Sequence, residues 1–145
     1  MSADRHLRAS IALIAVFLGM GLWLEAMYGL RAEGWIDDPL RREFLRLGHS
    51  HGALLGLVNV ALAWACERLE TPAAWAHRIR LAAFLGALLV GLGFVSGGLW
   101  HGPTDPGPTI LVVPAGALMV LTSAVAVAIV RASDAVASDA VASGD

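Results

Sequence analysis

Four stretches of about 20 residues, almost free of charge, constrain the fold of this chain more than anything else in it: residues 9–30, 47–66, 81–100 and 109–130. A bilayer core takes roughly 20 apolar residues per helix. Backbone polar groups in lipid must be satisfied within a segment or in a closed barrel. None of the runs alternates as a barrel strand does. The expected fold is therefore all-α, a four-transmembrane-helix antiparallel bundle over residues 1–131. A low-complexity tail, 132–145, follows, in which SDAVA occurs twice. The first run follows Arg5 and Arg8, as the apolar part of a signal peptide would, but "LEAMYGL" offers no small-x-small cleavage site, so this run is expected to stay as a span.

Charge narrows the function classes. The ten basic residues are all arginine, the net charge is −2, and no basic patch with interleaved aromatics appears, so nucleic acid is not an expected partner. Cys66 is the one cysteine, which excludes an internal disulfide, a multi-cysteine zinc site and a CxxCH haem attachment. It sits in an apolar run and reads as a small buried hydrophobe. No Gly-rich phosphate loop or nucleophile motif is present. With the N-terminus inside, the inner segments hold Arg5, Arg8, Arg68, Arg78, Arg80 and Arg131, and the outer ones hold Arg31, Arg41, Arg42 and Arg46. This bias favours a multi-pass protein of the bacterial inner (plasma) membrane with both termini cytoplasmic.

The segment before the second run carries its own signal. Asp38-Pro39 is an N-cap followed by proline at the first helical position. Leu40, Phe44 and Leu47 then recur at helical spacing among Arg41, Arg42, Glu43 and Arg46. The pattern predicts a short interfacial amphipathic helix feeding the second span.

Antiparallel threading gathers the chemistry. It brings Glu25, His49, His51, His101 and Asp105 to one membrane face, the outer one. Ionisable groups in a membrane usually face the interior with a partner. His49 and His51 lie about 200° apart on a helical wheel and cannot both reach one metal from a regular helix. His51 continues the Leu40–Phe44–Leu47 stripe and is expected to be the inward ligand. His49 lies on the side of Arg42 and Arg46, as gate or second ligand. Gly48, Gly52 and Gly56, and Gly86, Gly93 and Gly97 leading to His101, suit either close helix packing or room for a flat macrocycle. Asn59 is expected to make an interhelical hydrogen bond, while His6 and His77 fall in charged segments and are expected to be solvated.

Three functions are consistent with this pattern. In the first, His51 and His101, with His49 nearby, bind haem b for electron transfer or gas binding. In the second, His49, His51, His101, Glu25 and Asp105 hold a non-haem transition metal (Zn, Cu or Fe) for metal handling or a membrane enzyme. In the third, the chain is a structural subunit of a larger membrane complex and the polar cluster is a hydrogen-bond network. Four helices bury little surface on their own, so besides the lipid bilayer the expected partners are further copies of the chain or other subunits of a complex.

The stretch "GHSHGALLG" resembles the haem-ligand helix of haem–copper oxidase subunit I proteins, where an apolar helix near the outer face carries a His-Gly pair. It is also similar to small four-helix bacterial membrane proteins with an H-x-H motif in the second span. The resemblance covers about ten residues and implies one haem ligand, His51 or His49. The oxidases have about twelve spans and further histidines that this chain lacks, so oxygen reduction at a copper–haem pair is not implied.

Overall fold

The computed structural model describes the backbone of residues 1–142 and the side chains of residues 1–130. The described residues form four α-helices and no strand: α1 (Ala3–Gly29), α2 (Pro39–Arg68), α3 (Ala73–Leu99) and α4 (Val112–Ala142), with a short 3₁₀ turn at Pro108–Leu111 leading into α4. The segment expected as a tail, 132–145, gives its backbone to the last turns of α4 as far as Ala142; its side chains lie outside the described residues.

Three of these segments are long and apolar enough to cross a membrane: Ala3–Gly29, Ala73–Leu99 and Pro108–Val130. The protein is a helical membrane protein on that ground. The segment expected to be the second span is too dilute in apolar residues to join them, because His49, Ser50, His51 and Asn59 interrupt it. Nor is the amphipathic stretch before it a helix of its own. Helix α2 runs unbroken from Pro39 to Arg68, and residues 39–46 are its first two turns. It starts where the sequence signals: the Asp38 carboxylate accepts the Arg41 backbone N–H at 2.9 Å, and Pro39 takes the first helical position.

The helices pack as an antiparallel row in chain order. Helix α2 lies between α1 and α3, α4 packs on the far side of α3, and among the described residues α1 does not touch α4. Small residues bring the axes close. A Cβ on Gly86 would run into the Gly116 carbonyl, and one on Gly93 into Val112 and Val113, so the α3 glycine stripe faces α4. On the other side of the row, the Phe17 ring fills the space that Gly52 of α2 and Gly91 of α3 leave open. Phe17 is 2% exposed. Gly48 receives Val95, and Gly56 receives Ile14. The glycine-lined room that a macrocycle could have used is thus occupied by side chains of the protein itself.

Candidate functional site

The sequence-selected residues lie toward one end of the row, spread over about 20 Å of it between His51 and His101. That end carries the C-terminus of α1, the N-terminus of α2 and the loop between α3 and α4. Three separate settings divide them there, and no group of three or more His, Cys, Asp or Glu side chains among the described residues is placed to hold a metal ion.

His49 faces α1. Its Nδ1–H donates to the Phe17 carbonyl at 2.6 Å, and its ring lies against Gly21, where any Cβ would overlap it. That carbonyl belongs to a regular helix, so the absent side chain at Gly21 is what lets the imidazole reach it. Fixing Nδ1 in this way sets the tautomer and leaves Nε2 with the lone pair. His49 also lines a cleft of about 670 Å³ between α1 and α2, with Leu18, Leu22, Glu25, Arg46 and Leu47. A second cleft, of about 480 Å³, shares Leu24, Glu25, Glu43 and Arg46 with it and adds Tyr28, Trp35 and Arg42 toward the end of the row. Together they form a groove, apolar along its length and charged at its mouth. Glu25 sits on the exposed side of α1 in this groove.

His51 faces the other way, as its position on the wheel requires. Its Nδ1–H donates back to the Leu47 carbonyl at 2.9 Å, and its ring lies 5.0 Å from that of Phe94 on α3. Phe44 meets the same Phe94 ring at 6.1 Å, so the stripe of Phe44 and His51 is the face α2 turns to α3. His51 therefore does not line the groove; the residue that does is His49, on the Arg46 side.

His101 stands apart from both. Helix α3 ends at Leu99, and the stripe Gly86–Gly93–Gly97 does not extend to His101 as a helix would carry it. The ring instead reaches α2's cap. Its Nε2 is 2.9 Å from Asp38 Oδ2, and its Nδ1 is 2.6 Å from the Gly102 carbonyl. Asp38 lies about 20 Å from His51 along the α2 axis at 1.5 Å per residue. His51 and His101 are thus not arranged to share one iron. Asp105 is exposed and turns its carboxylate to the Thr104 hydroxyl, 2.8 Å away.

The hydrogen bonds and charges around His101 set the protonation of the pair. The Gly102 carbonyl and then the Asp38 carboxylate hold His101 above its usual 6.5, against the opposing charge of Arg41. Partial burial acts to raise the Asp38 carboxyl. The Arg41 backbone N–H, His101 and the Arg41 charge outweigh it and hold Asp38 below the usual carboxylate value.

A second polar cluster lies at the opposite end of the row. His6, expected to be solvated, is fully buried; its Nε2–H donates to the Asn59 carbonyl at 3.0 Å, and its ring stands edge-on to Phe84. Asn59 bridges to α3 as expected, donating to the Ala83 carbonyl at 3.2 Å. Arg80, 9% exposed, lies 3.9 Å from Glu67. The sequence does hold a trace of this cluster. His6 and Ser10 stand one turn apart at the head of an apolar stripe, and Ser10 Oγ–H donates to the His6 carbonyl at 2.8 Å. Asp38 reads from the sequence as a cap, but nothing local marks it as the partner of a residue 63 positions away.

Comparisons with protein-family models, with curated proteins and with solved structures found no match to this chain.

Proposed function

We propose that the protein is a four-span helical membrane protein that binds haem b in the groove between α1 and α2, with His49 as the protein ligand, for electron transfer or gas binding. The observation that carries this reading is the fixed His49 imidazole. Its Nδ1–H is held by the Phe17 carbonyl, which fixes the orientation of a ligating histidine. The groove supports it in shape: Leu18, Leu22 and Leu47 line its length, and its mouth holds Glu25, Arg42 and the Glu43–Arg46 pair, of which Arg42 suits a carboxylate of such a ring. The interior between α2 and α3 does not fit a macrocycle, because Phe17 and Val95 fill it.

The fourth span in this reading is α2. It is 30 residues long, about 45 Å, and lies between α1 and α3, each of which is apolar enough to cross. Its polar groups turn to those neighbours or to its own backbone, which is how polar residues persist inside a bilayer. In this reading the groove opens at the outer face of a bacterial inner membrane, the orientation that the arginine bias favours.

An optical spectrum of protein purified from cells supplied with haem tests the proposal. The expected result is a Soret band lost in His49→Ala and retained in His51→Ala and His101→Ala. A colourless wild-type protein, or a band that survives His49→Ala, overturns it. Elemental analysis of the same sample distinguishes haem iron from a non-haem metal.

A further inference from the structure

Both ring nitrogens of His101 face oxygens that can only accept. Nδ1 meets the Gly102 carbonyl and Nε2 the Asp38 carboxylate. A neutral imidazole has one N–H and one lone pair, so it can serve only one of them. Both bonds together require the imidazolium. Asp38 is engaged on its other side as well: Oδ1 accepts the Arg41 backbone N–H, and Oδ2 lies 3.4 Å from Arg41 Nε. The bond to Asp38 is part-buried, with 14% of the His101 side chain exposed, while the bond to Gly102 lies at the surface. The loop that carries it is folded back on itself, with the Gly102 N–H on the Asp105 carbonyl and the Gly107 N–H on the Gly97 carbonyl.

We propose that His101 and Asp38 form a proton-operated clasp: the imidazolium fastens the α3–α4 loop to the first turn of α2, and loss of its proton leaves one of its two bonds and the charge pairing unmade, which loosens the loop. What the clasp holds is functional ground. Pro39 and Arg42, in the turn it fastens, form one wall of the α1–α2 groove. The charged groups that act on His101 are Asp38, just before α2, and Arg41, in its first turn. Asp105, in its own loop, is turned to Thr104.

The sign follows from the two partners. His101 is raised above 6.5, so its contribution is complete below about pH 6.5 and is lost as the pH climbs through its raised value. Asp38 is lowered below 3.8, so its contribution is complete above about pH 3.8 and is lost only as the pH falls through its depressed value. The clasp is closed between these limits.

Hydrogen exchange on the full chain in lipid nanodiscs, with ¹⁵N spectra of labelled histidine, tests it. At pH 6 both His101 nitrogens are expected to carry a proton. Above pH 6.5, protection of the Arg41 and Gly102 amides, corrected for hydroxide catalysis, is expected to fall by up to about tenfold per pH unit until His101 is neutral. His101→Gln should abolish the step. Asp38→Asn keeps an oxygen for the cap and should move the step to lower pH. One protonated nitrogen at pH 6, or an unchanged step in His101→Gln, overturns the proposal. None of these readouts depends on what the groove binds, so the clasp and the haem site stand or fall separately.

Discussion

Phe17 is the side chain on which three helices converge. Rooted on α1, its ring lies where Gly52 and Gly91 have no side chain, and it is 2% exposed. Its carbonyl meanwhile holds His49, so one residue joins the packing of the row to the orientation of the candidate ligand. Phe17→Ala should cost about 3–5 kcal/mol, as aromatic truncations in packed interiors do. Gly52→Ala should cost about 1–3 kcal/mol, since a Cβ there meets a ring that cannot bend away. Gly19→Ala, with open space around it, should be neutral or slightly stabilising. Thermal unfolding of the three variants in one detergent checks the order; a Gly52→Ala protein as stable as Gly19→Ala contradicts the packing. At this scale the sequence was legible in part. The wheel separates His49 from His51, and the structure sends them to opposite neighbours. Which neighbour was hidden, because Gly21 becomes a seat for an imidazole only once α1 lies against α2.

Helix α2 is the element whose boundaries matter most. The charged stretch from Pro39 and the histidine-bearing stretch are one rod, so a pull on the Asp38 cap reaches the groove wall directly. Asp38→Ala removes the cap and the partner of His101, whereas Asp38→Asn removes only the charge. The cap difference between the two variants should be about 1 kcal/mol and nearly the same at pH 6 and pH 8.5. The difference between wild type and Asp38→Asn should shrink over that range, because His101 loses its proton as the pH rises. Melting curves of the three proteins at both pH values test this. The start of α2 was readable from Asp38-Pro39 alone, since a cap is a local device. The end of α3 was not: the glycine stripe pointed on to His101, but the helix stops at Leu99, and Gly107 then lies back against the backbone around Gly97 and Trp100.

On the scale of the whole molecule, α1 and α4 are the two ends of the row. Val16 on α1 is 67% exposed and Leu121 on α4 is 59% exposed, although both lie in the middle of their helices. A closed four-helix ring would bring them near one another. In a Cys66→Ala background, the pair Val16→Cys and Leu121→Cys should therefore form no disulfide within one chain on mild oxidation, and a linked monomer on a non-reducing gel would contradict the open row. Bands at twice the mass would instead identify copies that meet along these faces. Apolar runs revealed the helices from the sequence, because burial in lipid leaves a signature in composition. The order in which the helices lie side by side leaves none, since lipid and a neighbouring helix are equally apolar company.

The placement of the hydrogen bonds along α2 also bears on how such a chain could be assembled. His6 and His49 find their partners between α1 and α2, which are synthesised before α3, whereas Asn59 reaches across to Ala83 on α3. A hairpin of α1 and α2 thus already shelters His6 and His49, while His51 and Asn59 face the place that α3 takes. One amide bond remains to be made when the ribosome has delivered the next segment, so the two histidines are positioned to hold the nascent pair together during the wait.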